Sequence, residues 1–261
     1  MSNKAKVLAI IQARTGSTRF PGKVLKMIEG KTVLEHVIAR VQASKLVNAT
    51  IVATTVNIED LAIVKLSDEL QVSVYCGSED DVLDRFYQAA KPLLPTIIVR
   101  ITADCPLIDP SIIDQTIDLF LQSSVDYVSS QLEERLPDGE DVEVFSFTAL
   151  FRAWREARLT SEREHVTPYI RNNPASFKVL GLPVEANHSQ QRWTLDNRED
   201  YDFIKIIYAR LYSNNHFFGM KEILALLSKE PGLADINKHI GRNEGYVKSL
   251  REDKLIDEEV E

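Results

Sequence analysis

Short uncharged apolar runs alternate with longer amphipathic stretches through the first half of this chain, and that alternation narrows the fold more than any other feature. Val7–Ile11 is an apolar run without charge, the pattern of a strand buried on both faces. Thr32-Val33-Leu34-Glu35 follows as a capping box, opening a helix with Leu34, Val37, Ile38 and Val41 as its apolar positions. Ala49–Thr54 reads as a second strand, Glu59–Leu70 as a helix and Gln71–Cys76 as a short strand. A helix starting at Ser78 carries Val82, Leu83, Phe86 and Ala90. Thr96–Thr102 is the most apolar strand and ends at Ala103-Asp104-Cys105-Pro106, before a helix over Pro110–Gln122. Strands alternating with helices of this length predict a mixed, mostly parallel sheet covered on both faces, a Rossmann-like three-layer α/β/α sandwich.

The second half is less regular. Asp126–Ser130, Val142–Phe147, Phe177–Leu182 and Arg192–Leu195 read as strands, and Ala149–Arg158 and Glu199–Tyr212 as helices. Glu164–Asn172 reads as a short helix or turn. Residues 1–218 form one expected domain, with 219–261 as a helical extension that holds a helix from Met220 through Leu227. The charged end REDKLIDEEVE offers little to bury and is expected to be mobile.

Between the first strand and the first helix lies Gln12-Ala13-Arg14-Thr15-Gly16-Ser17-Thr18-Arg19-Phe20-Pro21-Gly22-Lys23. A strand that empties into a basic, glycine-containing loop can hold a phosphate chain, because backbone N–H groups and fixed cations both face the oxygens. The spacing is neither a P-loop nor a dinucleotide fingerprint: Gly16 and Lys23 lie too far apart, Val24 follows the lysine, and no G-x-G-x-x-G occurs. The plain alternative is a solvated basic loop. The formal net charge of -8 argues against a general nucleic-acid binder while leaving room for a locally positive nucleotide pocket. Cys76 and Cys105 are the only cysteines, so no disulfide framework or thiolate zinc site is indicated. The first apolar run is too short for a signal-peptide core or a membrane span, and the expected location is the cytoplasm.

The strings ARTGSTRFPGK, VATTVNIEDL, GSEDDVLDRFYQAA, VRITADCPLIDPSIID, PDGEDVEVFSFTAL, REHVTPYI and RWTLDNREDY occur in this order. Together they resemble the cytidylyltransferases that make CMP-activated acidic sugars, nearest to the SpsF type and to 3-deoxy-manno-octulosonate cytidylyltransferase, with acylneuraminate cytidylyltransferases more distant. The resemblance covers roughly the first 210 residues and implies a nucleotide-diphospho-sugar transferase fold. It implies a magnesium-dependent reaction of CTP with a sugar acid to give a CMP-sugar and pyrophosphate, a homodimer, and a role in cell-surface polysaccharide synthesis. Neither a nucleic acid polymer nor a membrane is an expected partner.

The same resemblance places Arg14 and Lys23 on the triphosphate, with Gly16, Ser17 and Arg19 in the loop that faces it. Lys23 suits the α-phosphate as a point charge, and Arg14 suits the β- and γ-phosphates as a bidentate fork. Asp104, just past the carboxyl end of the most apolar strand where open α/β sheets place ligands, and Asp196 match the two magnesium aspartates. Two carboxylates with phosphate oxygens and waters suit octahedral magnesium. Either aspartate alone is as readily a helix cap or turn residue. His165 matches a position beside the acceptor sugar, against a plain reading as a solvated histidine. Arg85 and Asp84 match a segment near base and ribose, against a plain reading as an ordinary capped helix. Thr102 and Ala103 depart from the related octulosonate enzymes, which carry Gln and Gly there, so the sugar acid stays open. A glycosyltransferase would usually show D-x-D at the end of the central strand, and none occurs there. The other rival is a non-catalytic nucleotide-binding protein.

Overall fold

In a computed structural model that describes residues 6–256, the strands are β1 (Val7–Gln12), β2 (Met27–Ile28), β3 (Lys31–Thr32), β4 (Ala49–Thr55), β5 (Ser73–Gly77), β6 (Ile97–Thr102), β7 (Tyr127–Ser129), β8 (Glu143–Ser146) and β9 (Val179–Gly181). The helices are α1 (Val33–Gln42), α2 (Leu61–Glu69), α3 (Val82–Ala90), α4 (Pro110–Gln122), α5 (Phe147–Glu156), α6 (Thr160–His165), α7 (Pro168–Arg171), α8 (Arg198–Leu211), α9 (Met220–Lys229) and α10 (Glu244–Arg251). Seven strands form one sheet in the order β5-β4-β1-β6-β8-β7-β9, and β2 and β3 form a small separate ribbon. The pairs β5–β4, β4–β1 and β1–β6 are parallel. Strand β8 runs antiparallel to both β6 and β7, and β9 is parallel to β7. The sheet is therefore mixed and mostly parallel, as the alternation of elements predicts.

Alternate residues of β1 enter opposite cores, which is why that strand reads as continuously apolar. Val7, Ala9 and Ile11 pack with α1 and α4 on one face. Leu8 and Ile10 pack with α3 and α5 on the other. A third core joins Trp193 and Leu195 to α8, Phe218 and α9, so the first helix beyond residue 219 shares its apolar face with the helix before it. Val142, Val144 and Phe145 are fully buried inside this chain. Among the described residues no helix is long and apolar enough to cross a membrane.

The capping box at Thr32 and Glu35 is present. Four expectations need correction. The helix expected from Ser78 begins at Val82, because Asp81 caps it while Ser78 Oγ accepts from the Asp81 N–H. The helix expected over Glu59–Leu70 begins as a 3-10 turn, Ile58–Asp60, before α2. Arg192–Leu195 forms no strand. Its backbone bonds are divided between two loops, with Trp193 N–H donating to Asp138 O at 2.6 Å and Leu195 N–H to Asp104 O at 2.8 Å, leaving one isolated bridge between Asp138 and Arg192. The charged end is docked as far as residue 256: the Asp253 carboxylate accepts from the Thr160 and Ser161 hydroxyls, and Ile256 N–H donates to Arg158 O. The rest of that expectation, residues 257–261, lies outside the described residues.

Candidate active site

The loop after β1 is held by its own polar groups. Thr15 donates from its N–H and its hydroxyl to Asp60 Oδ1, at 2.8 and 2.7 Å, and Gly22 N–H donates back to Thr15 O at 3.0 Å. Burial pushes the Asp60 carboxyl up, but hydrogen bonds from Thr55 and Thr15 outweigh it and hold the group below its usual value. Gly22 then takes a left-handed conformation (φ +67°) with open space where a Cβ would stand, so backbone freedom is what the position requires. The chain turns there into the 3-10 segment Lys23–Leu25, which carries the lysine side chain inward.

Lys23 is 9% exposed, and its Nζ lies 2.6 Å from Asp104 Oδ2 and 2.8 Å from Asp196 Oδ1. Burial alone would favour the neutral amine, but the two carboxylates outweigh it and raise the lysine pKa. Burial likewise pushes Asp104 up, and the charge and hydrogen bond of Lys23 reverse that, bringing it to about 2. The cluster is thus an ammonium between two carboxylates. The bond from Leu195 N–H to Asp104 O ties the two aspartate-bearing segments together.

Asp196 is not the helix cap that the plain reading supposes. Helix α8 is capped at Asn197 instead, in a capping box in which Asp200 Oδ2 accepts from the N–H groups of Asp196 and Asn197 at 2.9 Å each. The Asp196 side chain is thereby left to face cations: Lys23, Arg19 Nη2 at 2.9 Å and Arg192 Nη2 at 3.1 Å. Arg192 is a hub, reaching Asp138 at 2.8 Å, Asp200 at 2.9 Å and Gly241 O at 3.1 Å. Gly139 makes this possible. Its φ is +112°, and a Cβ there would lie 2.7 Å from the backbone of Trp193 and Thr194, so only glycine lets the two loops meet. Beside it, burial and then the charge of Asp138 push the Asp141 carboxyl up to about 7.

The structure brings Lys23, Asp104, Asp196 and Arg19 together. Arg14 sits apart from them, half-exposed and paired with Glu79 at 2.9 Å. A Cβ on Gly16 would lie 3.3 Å from the same glutamate. Ser17 Oγ accepts from Phe20 N–H at 3.3 Å, shaping the loop. Arg85 is fully buried rather than on an open surface; its Nη1 donates to Ser78 O at 2.7 Å, while its Nε and Nη2 have no hydrogen-bond partner. Asp84 is occupied by Trp154 Nε1 at 2.8 Å and Gln88 Nε2 at 3.1 Å, which fastens α3 to α5. His165 ends α6 against the ring of Tyr246, and burial drops its pKa to about 4, leaving the imidazole neutral at pH 7. Arg192, Asp138, Asp200 and Asn237 escape the sequence reading. The first and third have a local signal, since Arg192 and Asp200 stand four residues either side of Asp196.

Two carboxylates already converge on one cation, and their hard oxygens are the donor type magnesium takes. Among the described residues no group of three or more His, Cys, Asp or Glu side chains is placed to hold a metal. An ion here would take its other ligands from phosphate oxygens and water, the usual habit of magnesium at nucleotide sites. The residues fit the ion.

Known proteins are similar to this chain. An uncharacterised protein of Methanocaldococcus jannaschii is 40% identical over 247 residues, 92% of this chain and 98% of its own length. The spore coat polysaccharide biosynthesis protein SpsF of Bacillus subtilis is 34% identical over 239 residues, 87% of this chain and 96% of its own. A cytidylyltransferase structure from Leptospira borgpetersenii superposes with a TM-score of 0.83 at 34% identity, covering 88% of this chain and 97% of that one. The fold also matches CMP:2-keto-3-deoxy-manno-octonic acid synthetase solved with CTP, at a TM-score of 0.62 and 16% identity, over 79% of this chain and 99% of that one. A family model described as cytidylyltransferase matches residues 8–226, a span that takes in β1, the basic loop and both aspartates, and on this ground the chain belongs to the cytidylyltransferase family.

Proposed function

We propose that this nucleotidyltransferase converts CTP and a sugar acid to a CMP-sugar and pyrophosphate, with magnesium, for cell-surface polysaccharide synthesis. The observation that carries the reading is the Lys23 ammonium held between Asp104 and Asp196 beyond the carboxyl ends of β1 and β6. An acceptor hydroxyl oxygen bonds to the α-phosphorus, the bond to the bridging oxygen breaks, pyrophosphate leaves, and the hydroxyl proton passes to solvent. Lys23 stabilises charge that grows on the α-phosphate oxygens. Arg19 and Arg14 hold the outer phosphates, exchanging Asp196, Glu244 and Glu79 for phosphate oxygens, and Gly16 and Ser17 shape the loop around them. Arg85 supports the base and ribose side, and His165 lies on the acceptor side. Asp104 and Asp196 would hold magnesium, which when bound supplies Lewis-acid polarisation of the α-phosphate. Residues 1–218 carry the reaction, with 219–261 as an extension. The working form is a homodimer in the cytoplasm, where CTP is made.

The test is a matrix of CTP, UTP, GTP and ATP against 2-keto-3-deoxy sugar acids, read as pyrophosphate release. CTP with one or more acids should give turnover that EDTA abolishes. Turnover in metal-free buffer, or sugar transfer from a preformed nucleotide sugar without use of a triphosphate, would overturn the reading. The dimer is checked separately by light scattering at micromolar concentration, where a monomeric mass rejects it.

Arg14 and Lys23 should separate kinetically. Arg14→Ala should raise the KM for CTP by more than about tenfold, because the outer phosphates are charged before the reaction as well as during it. Lys23→Ala should mainly lower kcat, because its share grows as the new bond forms. Steady-state kinetics with CTP varied decides it, and exchanged signatures would swap the two roles.

A further inference from the structure

Helix α10 lies against the site while burying none of its own residues. Glu244 Oε2 pairs with Arg19 Nη1 at 2.9 Å. The Tyr246 ring meets His165 edge-on at 5.0 Å between centroids, and the Arg171 guanidinium lies 4.7 Å from the same ring. Ser249 Oγ donates to Glu164 at 2.6 Å. The segment leading to the helix is anchored firmly. Asn237 is 1% exposed and donates to Arg192 O and Asp200 Oδ1, while Gly241 O accepts from Arg192. The arginine that holds Asp196 thus also fixes the approach to α10. A helix that buries no residue draws little stability from its docking, yet its contacts fall on Arg19 of the phosphate loop and on His165.

The surface that Tyr246 faces has a definite chemistry. Glu143 beneath it accepts from Arg100, from the Tyr127 hydroxyl and from the Thr167 hydroxyl. Arg171 brings a second positive charge to this side; burial disfavours that charge, and the field of Glu143 more than restores it. An aromatic ring, a neutral imidazole and a guanidinium together suit a polyhydroxylated acid. The ring covers sugar C–H groups, the imidazole bonds a hydroxyl, and the cation meets a carboxylate.

We propose that α10 is the acceptor-side wall of the site, with Tyr246 a specificity-determining residue that touches the sugar acid and Glu244 a positioning residue that tethers the helix to Arg19. This rests on the function proposed above. The tether has a kinetic consequence, because the carboxylate of Glu244 competes with nucleotide phosphate for Arg19. Binding of the triphosphate therefore loosens α10 as the acceptor must enter.

Kinetics on Tyr246→Ala, Tyr246→Phe and Glu244→Gln test this, with calorimetric titration of each 2-keto-3-deoxy sugar acid of the same panel as above, 3-deoxy-manno-octulosonate included, into protein saturated with magnesium and a non-cleavable CTP analogue. Tyr246→Ala should raise the acceptor KM and dissociation constant by about tenfold, the size of one good aromatic contact, while the KM for CTP stays within about twofold. Tyr246→Phe, which keeps the ring, should restore acceptor binding. Glu244→Gln should lower the KM for CTP about threefold or more, in proportion to the competition removed. An unchanged acceptor KM in Tyr246→Ala, or equal rises in both KM values, overturns the proposal while leaving the enzyme's function standing. A wild-type protein that releases no pyrophosphate in any combination overturns the function instead. The titration then still decides α10, and absence of wild-type binding by every acid of the panel overturns it too.

Discussion

Asp104→Asn is expected to cut kcat by about two to three orders of magnitude, the scale seen when one electrostatic group at a reacting centre is lost, while the protein stays folded. The amide is nearly isosteric, and its oxygen can still accept from Lys23 Nζ, so the 2.6 Å contact has a neutral replacement. What disappears is charge. Lys23 then keeps Asp196 as its close counter-ion, and burial weighs more heavily against its ammonium form. The hard anionic donor that would hold magnesium at the end of β6 goes as well. Pyrophosphate release at saturating CTP and acceptor measures the effect, and circular dichroism confirms the fold. A kcat within about threefold of wild type would remove Asp104 from the reacting centre.

Arg192→Ala should have the largest effect on stability, about 3–5 kcal/mol, because removing one partner of a buried ionic network leaves the others uncompensated. The Arg192 side chain is 5% exposed and touches three aspartates, one of which, Asp200, has no exposed surface. Roughly 2–4 °C of midpoint per kcal/mol applies to chains of about this size, so thermal unfolding should fall by on the order of 10 °C. Arg192→Lys should lie between the two, since a point charge cannot serve three carboxylates from a planar fork. An unchanged midpoint in the alanine variant would show that the aspartates find other partners and that the hub is dispensable.

The parallel half of the sheet is legible because β1, β4, β5 and β6 are short, largely apolar blocks and each connection carries its own helical period. The Thr32 capping box works the same way, through residues three apart. The second half is harder to read for a physical reason: β7, β8 and β9 are three or four residues long, and their order in the sheet depends on contacts distant in sequence. Arg192–Leu195 reads as a strand because polar and apolar residues alternate through an aromatic and a β-branched residue, yet Trp193 and Leu195 fill the third core while their N–H groups serve two different loops. The residues of the candidate site are partly legible. Lys23, Asp104 and Asp196 stand out as charges at strand or loop ends, and the structure gathers them. Arg192 has a local cue in standing four residues before Asp196, but nothing local shows that it serves three carboxylates, one of them fully buried, rather than solvent. Asn237 is hidden for the same reason.

The contact between Arg19 and Glu244 joins residues 225 positions apart, and its consequence concerns the order in which the chain is made. A ribosome delivers the basic loop after β1 about 225 residues before Glu244 of α10. Contacts of such long separation form late, because loop closure must come before any gain from them. At ordinary synthesis rates of about 5–20 residues per second, the gap between loop and helix is on the order of ten seconds or more. Through that interval the sheet can form around β1, β4 and β6, and Arg192 and its aspartates are made, but the tether to α10 is not yet on hand. The tether therefore closes only after α10 is made, and a nascent chain that stalls before α10 carries the loop without that contact.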